Sequence, residues 1–324
     1  MAPESVLTPV TPEQKAHFLT HGFVKVSNCF SRETSEAFTS NLWTRLGMSS
    51  IDKSTWTAER INMPFHTSVP ISEFAPKAWS AICELVGGED RITEDSKMWH
   101  DGFIVNLGIE DGQGPVALRD LENWHVDGDF FVHFLDSPEQ ALLVIPIFSD
   151  IGPGGGGTAI CTDGIRAVAK HLVRSTTRMV SPWMQPRGTP ESTGSDQLDF
   201  YKAIVKNPEL ASDASFHEMT GEVGDVYLLH PLMVHSATKN VTRIPRVITN
   251  PPVSLKAPFH LSGGGEYSLV EQKTLRELGF PGGLDGQWEI QGGRETVIPR
   301  RVKIQEEMKA RERERLAREA AVGA

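Results

Sequence analysis

The feature that most constrains the fold is a group of candidate metal ligands carried by strand-like segments far apart in the chain. His125 and Asp127 lie in residues 124–129, WHVDGD, and His235 ends an apolar run over residues 224–235. Residues two apart in a strand point to the same face, so we expect His125 and Asp127 to converge. A distant strand that supplies His235 would complete the group, which predicts a sheet or barrel joining both segments.

The size of the chain fits one β-barrel with helical additions. It has 324 residues, of which 39% are hydrophobic, a share typical of folded proteins. We assign residues 1–299 to a single domain and residues 300–324 to a charged helix or tail. The tail is rich in Arg, Glu, Lys and Ala, which favours a solvated helix with i,i+4 ion pairs. The alternative is a partner-binding helix, but its apolar stripe is thin.

Charge and cysteine content exclude several kinds of partner and compartment. Lys and Arg total 32 against 42 Asp and Glu, a net charge of -10, so nucleic acid is not expected to bind. No leader-like or membrane-spanning apolar stretch occurs, so no membrane partner is expected. Cys29, Cys83 and Cys161 are too far apart for a zinc cluster or a disulfide framework, which favours a reducing, cytoplasmic location.

The first elements are predicted from local capping patterns. Thr11 as N-cap and Pro12 at the first helical position begin a helix that Gly22 ends. A short strand over residues 23–26 follows. A second helix begins at residues 31–34 and runs toward Leu46.

The rest of the domain is predicted to be mainly strands, with two other elements between them. Residues 164–175 favour a helix, and the polar, Gly- and Pro-rich residues 181–196 are the best candidate for a mobile lid. The predicted strands cover residues 99–107, 123–133, 141–148, 221–235 (with a break near Pro231) and 246–255.

Two His and one carboxylate on one metal form a facial triad that leaves open coordination positions for O2 and a bidentate oxo acid. The distal ligand is ambiguous, because both His230 and His235 follow the apolar run. His230 precedes a proline and is better explained as a packing or second-layer residue. Arg246 is a candidate for the far carboxylate of such an acid, because a guanidinium forms two parallel bonds to a carboxylate.

Four motifs together resemble the phytanoyl-CoA dioxygenase family of iron(II)- and 2-oxoglutarate-dependent oxygenases. They are the opening TPEQ helix with its HGFVKV strand, W-H-x-D-G, the Gly-rich turn at residues 154–157, and GD-x(4)-HP-x(3)-H-S with a downstream arginine. The resemblance covers roughly residues 11–256. It implies a double-stranded β-helix, a jelly-roll barrel with flanking helices.

The resemblance also implies roles for individual residues. His125, Asp127 and His235 match the family's iron ligands, and Arg246 matches the arginine that binds 2-oxoglutarate. Thr158, after the Gly-rich turn, matches a polar position that often contacts this cosubstrate. The family often has a cosubstrate-binding Gln near position 122, where this chain has Glu, and that residue is left unassigned.

The implied reaction uses Fe(II), 2-oxoglutarate and O2 to oxidise a C–H bond of a small organic substrate, with succinate and CO2 released. Hydroxylation, desaturation and ring formation remain open, as does a homodimer. Trp56, Arg60, Met63 and His66 form a patch that could line the substrate entrance, with Arg60 an anchor for an acidic group, although core packing is the better account of Trp56 and Met63. The alternatives are a barrel metalloprotein that uses iron or zinc without 2-oxoglutarate, and a non-catalytic binding module.

Overall fold

The computed structural model describes residues 10–110, 113–174, 184, 199–286, 288–290, 293–299 and 301–322. The predicted lid over residues 181–196 lies outside the described residues, apart from Met184. Within the described ranges, no helix is both long and apolar enough to cross a membrane.

Helices lie mainly at the two ends of the chain and surround short strands. The α-helices of the described ranges are α1 (Pro12–His21), α2 (Arg32–Phe38), α3 (Leu42–Leu46), α4 (Ile71–Phe74), α5 (Pro76–Val86), α6 (Gly164–Val173), α7 (Asp199–Lys206), α8 (Leu269–Leu278) and α9 (Arg301–Val322). Short 3-10 turns occupy Lys53–Thr55, Glu89–Arg91, Asp95–Lys97, Leu118–Asp120 and Asp213–Ser215.

The strands are short and pair only in the antiparallel sense. They are β1 (Phe23–Val26), β2 (Arg60–Asn62), β3 (Ser68–Pro70), β4 (Met98–His100), β5 (Ile104–Asn106), β6 (Leu142–Pro146), β7 (Thr158–Cys161), β8 (Phe216–Met219), β9 (Val226–Leu229), β10 (Val234–Ala237), β11 (Arg246–Ile248) and β12 (Pro252–Val253). The predicted sheet-rich fold with flanking helices is confirmed.

The strands form four small open sheets in the described part of the chain. Their orders are β1-β9-β6-β12, β10-β7-β8, β11-β5-β2 and β3-β4. A backbone bridge between Ile147 and Ile248 connects the first sheet to the third. The side-chain amide of Asn106 on β5 donates to the Thr238 carbonyl just beyond β10, at 3.2 Å, and so connects the third sheet to the second.

The first helix forms as its local sequence predicts. The Thr11 hydroxyl accepts a hydrogen bond from the Gln14 N–H, and the Gln14 side chain accepts one from the Thr11 N–H. This capping box satisfies backbone donors that have no partner inside the helix. At the other end, Gly22 adopts a φ of 77°, which a residue with a Cβ rarely adopts.

Several predicted elements are shorter or more broken than expected, including the strand over residues 246–255, which is divided into β11 and β12. The second helix stops at Phe38, and α3 begins separately at Leu42. The strand predicted over residues 99–107 is divided into β4 and β5 by the segment 101–103. Residues 123–133 form no regular strand, because only isolated bridges at His125 and Phe131 pair them with other segments.

Helix α9 forms, but it is not solvated on all sides. It packs against α3, and the Glu312 carboxylate is 1% exposed. This carboxylate accepts hydrogen bonds from Arg45 Nε and lies 2.8 Å from His66 Nε2. Arg45 also binds the Asp101 carboxylate at 3.0 Å. The expected solvated helix is therefore wrong for this face, which is buried against the N-terminal elements.

Candidate metal centre

His125 and His235 lie opposite each other and are joined by two backbone hydrogen bonds. The N–H of each donates to the carbonyl of the other, at 2.9 Å and 2.8 Å. Directly opposed residues in an antiparallel pair extend their side chains to the same face. The two imidazole centroids consequently lie 4.3 Å apart. The convergence predicted from the sequence is correct, but the backbone bridge between the histidines produces it, not a regular strand through residues 123–133.

Asp127 brings its carboxylate to the same point. Its Oδ1 lies 3.4 Å from His125 Nε2 and 3.5 Å from His235 Nε2. Gly128, the next residue, has a φ of 121°, and a Cβ there would collide with the rings of Phe131 and His133. Only glycine fits this turn without displacing them, so Gly128 allows the chain to bend away directly after the carboxylate.

Hydrogen bonds determine which atoms of the three side chains remain available to bind a metal. His125 Nδ1 lies 2.7 Å from the Asn123 carbonyl, and His235 Nδ1 lies 3.0 Å from the Met233 carbonyl. A carbonyl only accepts, so each Nδ1 carries the proton and each Nε2 keeps its lone pair. The Asn250 amide donates to Asp127 Oδ2 at 3.0 Å, which leaves Oδ1 facing the imidazoles.

The electrostatics of the group favour a bound cation. Burial opposes ionisation of Asp127, but the imidazoles of His235 and His125 outweigh it and hold the carboxyl pKa well below its usual value. Burial also opposes a charged His125, but the hydrogen bond and the charge of Asp127 raise its pKa. A metal bound here would therefore replace the proton that Asp127 favours on His125, and the site would offer it one anionic oxygen and two nitrogens.

This donor set fits a mononuclear transition-metal ion. Within the part of the chain that the structure describes, the one group of three or more His, Cys, Asp or Glu with suitably close ligand atoms is His125, Asp127 and His235, whose ligand atoms lie within 4.8 Å of one another. Metal–ligand distances of about 2.0–2.2 Å are compatible with the observed spacings. Two imidazoles and one carboxylate on one side leave the opposite positions open.

Arg246 is a buried cation without an anion in the described ranges. It is 2% exposed, and its Nε and Nη1 donate to the carbonyls of Gly156 and Ile104, at 2.8 Å and 3.3 Å. No carboxylate of the described residues forms an ion pair with it. Burial, with the nearby charge of Arg60, lowers its pKa to about 10, so it still carries its charge at neutral pH.

Thr158 and Arg60 lie close to Arg246 in the sheets. Thr158 begins β7, two residues after the Gly156 carbonyl that Arg246 binds, and is 8% exposed. On β5, Asn106 pairs with Arg246 on one side and with Arg60 on the other. Directly opposed residues share a face, so Arg60 and Arg246 extend from the same face of this sheet. Arg60 is exposed and forms no ion pair within the described residues.

Other predicted residues lie apart from the metal ligands. His230 is fully buried and donates from Nε2 to the Thr274 hydroxyl at 2.9 Å, a packing role in agreement with the sequence-based choice of His235. Glu122 is exposed and paired with Lys202. Met63 is a core residue, and His66 binds Glu312, so the predicted entrance patch is not formed as a unit.

Two contacts around the ligands were not predicted. Asn250, which holds Asp127, follows β11 by two residues and carries no motif that identifies it. Asp129, two residues after Asp127, accepts two hydrogen bonds from Arg301 at the start of α9, at 2.6 Å and 2.7 Å. Both contacts join segments distant in sequence, so neither could be recognised before the fold was known.

Comparison with known proteins gives structural likenesses only. No protein-family model matches the chain, and no curated protein matches it. HygX from Streptomyces hygroscopicus, solved with nickel, 2-oxoglutarate and hygromycin B bound, is similar at 14% identity and a TM-score of 0.40. This match covers 79% of this chain and 92% of HygX.

Two further solved structures are similar at a comparable level. The non-haem alpha-ketoglutarate-dependent carbocyclase SnoK from nogalamycin biosynthesis is 16% identical with a TM-score of 0.41, over 89% of this chain and 96% of SnoK. The hypothetical protein JW0805 from Escherichia coli is 13% identical with a TM-score of 0.46, over 76% of this chain and 68% of that protein. Similarity this low assigns neither a family nor a function.

Proposed function

We propose that this protein is an iron(II)- and 2-oxoglutarate-dependent oxygenase that oxidises a C–H bond of a small organic substrate. The observation that carries the proposal is the buried guanidinium of Arg246, which lacks an anion in the described ranges, in a domain that also brings two histidines and one carboxylate together. Buried charges in proteins are paired or bind a charged ligand, because desolvation of an isolated charge is costly. A dicarboxylate cosubstrate supplies the missing anion.

The sheet register supports one site that includes the ligands and Arg246. His235 pairs with Ile160, and Ala237 pairs with Thr158, so Thr158 lies two residues farther along the same strand pair. Two residues of a strand span about 7 Å. Arg246 binds the carbonyl of Gly156, two residues beyond Thr158 in the same direction. This order of residues supports a dicarboxylate whose oxo acid end would lie at the metal ligands and whose far carboxylate would lie toward the guanidinium.

Each residue has a distinct task in the proposed reaction. His125, His235 and Asp127 Oδ1 hold the metal, and Asn250 keeps Asp127 Oδ2 turned away from it. Bound iron(II), together with 2-oxoglutarate and O2, supplies the oxidising power to break a substrate C–H bond and yields succinate and CO2. Arg246 orients the cosubstrate by a bidentate, charge-assisted contact, and its burial excludes water that would weaken this contact.

The finer assignments are part of the same proposal. We assign the fold to the double-stranded β-helix and the chain to the phytanoyl-CoA dioxygenase-like group on the sequence motifs given above. Thr158 is assigned to the cosubstrate site because it follows the Gly156 carbonyl that Arg246 binds. Arg60 is assigned to an acidic group of the substrate because it is exposed, unpaired among the described residues, and on the same sheet face as Arg246.

Binding of 2-oxoglutarate to the anaerobic iron(II) protein tests the proposal directly. A visible charge-transfer band from an iron(II)–oxo acid chelate is expected for the wild type, and Asp127→Ala is expected to lose iron and the band. Arg246→Met should keep iron but bind 2-oxoglutarate about 10- to 100-fold more weakly, because it loses the charge-assisted hydrogen bonds to the carboxylate. Arg243→Gln is the matched control, because Arg243 is paired with Glu110.

The other outcomes identify the alternative functions. Iron binding without any spectral or affinity response to 2-oxoglutarate would mean a metalloprotein that does not use this cosubstrate. A lack of iron binding at micromolar concentration would mean a non-catalytic binding module. If Arg246→Met binds 2-oxoglutarate with the affinity of the wild type, Arg246 does not bind the cosubstrate and the proposal loses its main support.

A further inference from the structure

Three histidines outside the candidate metal centre form a cluster on α1 and β8. His17 and His21 lie one turn apart on α1, with ring centroids 4.5 Å apart, and His217 lies on β8 with its centroid 6.5 Å from that of His21. We call these residues the α1–β8 histidine cluster. Phe23 lies beside it, with its ring centroid 4.7 Å from His17 and 5.9 Å from His217.

The ring nitrogens of this cluster are unusual because they form no hydrogen bonds within the described residues. The chain has 11 histidines, and every other one has a hydrogen-bond or ion-pair partner for its ring. His217 Nε2 is a buried atom without any partner. Buried polar atoms in native proteins are normally satisfied by protein, water or an ion.

We propose that the α1–β8 histidine cluster is a second metal site, which binds a late divalent transition metal such as Zn²⁺ and fastens α1 to β8. Imidazole nitrogens are preferred ligands of these ions, whereas Mg²⁺ and Ca²⁺ prefer oxygen. The inference concerns residues outside the candidate metal centre, so it is independent of the proposed oxygenase function.

The three ligand atoms do not all lie within 4.8 Å of one another in this structure, so the side chains must rotate to share one ion. Two imidazoles bound to one tetrahedral zinc ion have ring centres about 5 Å apart, from a Zn–N distance of about 2.0–2.1 Å. The observed separations of 4.5 Å and 6.5 Å lie on either side of this value. His17 is exposed and His21 is half-buried, so both can rotate toward His217.

The charge state of the cluster also suits metal binding. Burial, followed by the repulsion of a charged His17 by His21 and by His217, lowers the pKa of His17. Burial, followed by repulsion from His21, lowers the pKa of His217. Neutral imidazoles are the form that binds metals. No carboxylate contributes to either shift, so no acidic group favours the protonated form of His17 or His217.

Zinc titration of a variant without the candidate metal centre tests this site. In the Asp127→Ala/His235→Ala double variant, calorimetry is expected to show one bound Zn²⁺, a raised melting temperature with Zn²⁺, and no response to Mg²⁺. Adding His21→Gln or His217→Gln should weaken Zn²⁺ binding by at least about 10- to 100-fold, because even outer contacts to metal ligands have effects of this size. His260→Gln is the control, because His260 lies outside the cluster.

The wild type gives a second measurement in case the double variant does not fold. It is expected to bind two equivalents of Zn²⁺, and His21→Gln is expected to bind one. A double variant that folds but binds no Zn²⁺ would overturn the proposal. Binding that is unchanged by both His21→Gln and His217→Gln would overturn it as well.

Discussion

Replacing Glu312 with glutamine tests whether α9 is held by a buried ion cluster. The side chains of Glu312 and Arg45 are 1% and 2% exposed and pair at 2.8 Å. Breaking a buried pair by removing one charge costs about 3–5 kcal/mol, because the remaining charge stays desolvated. Arg45 keeps its contact with Asp101, so we expect a loss near the lower limit, about 3 kcal/mol.

The expected change in melting temperature follows from the size of the chain. An unfolding entropy of about 2.1 cal/mol/K per residue gives about 0.7 kcal/mol/K for 324 residues, so a loss of about 3 kcal/mol lowers the melting temperature by about 4 °C. Differential scanning calorimetry measures this directly. The matched control is Glu314→Gln on the same helix, because its pair with Arg318 is exposed, and we expect a shift below about 1 °C.

A double variant separates the ion pair from simple loss of packing. Arg45→Met/Glu312→Leu removes both charges of this pair and should recover part of the lost stability, since apolar replacements of a buried pair are often neutral or stabilising. Recovery is incomplete because Asp101 loses Arg45 and keeps only the backbone N–H groups of His66 and Thr67. A melting temperature of Glu312→Gln within 1 °C of the wild type would refute the reasoning. Equal destabilisation in the double variant would mean that shape rather than charge dominates.

The remaining predictions concern the metal ligands and the core. Asn250→Ala removes the amide that holds Asp127, and equilibrium dialysis with Co²⁺ should show about 10- to 100-fold weaker metal binding, whereas an unchanged affinity would exclude an orienting role. Arg301→Gln removes a cation that interacts with Asp127 and unpairs the anionic Asp129, so it should strengthen Co²⁺ binding, whereas Arg301→Lys keeps the charge and should change it less. An unchanged affinity in Arg301→Gln would separate α9 from the candidate metal ligands. Burial lowers the pKa of His230 to about 3, below its unfolded value of about 6.5, so its stabilising contribution is present above pH 6.5 and is lost as pH falls toward 3. Urea unfolding between pH 7 and pH 5 should show this loss of stability. If the unfolding free energy of His230→Gln depends on pH as steeply as that of the wild type, the loss comes from other groups.

The sequence predicts best what short-range chemistry determines. Helix α1 forms as expected because its cap, its first-turn proline and its terminal glycine all act within a few residues. The break near Pro231 is also found, because proline lacks the N–H that a continuous strand requires. The convergence of the candidate metal ligands could be predicted because their residue types and motif are local, although the chain positions them by a long-range backbone pair.

Contacts between distant segments could not be predicted. Residues 123–133 have the composition of a strand, but their pairing partners are single residues elsewhere in the chain, so the backbone leaves the extended path after His125. The charges of α9 are typical of a solvated helix, and nothing local distinguishes Glu312 from its exposed neighbours. Its burial depends on Arg45, and only the tertiary fold brings these two residues together.

The pairing of Glu312 with Arg45 has a consequence for synthesis of the chain. The two residues are separated by 267 positions, so the N-terminal helices leave the ribosome long before the carboxylate that Arg45 needs has been made. At about 5–20 residues per second, this interval lasts from about 13 s to nearly a minute. During that time the surface of α3 that later packs against α9 remains exposed and accessible to chaperones. We expect the docking of α9 to be among the last steps of folding.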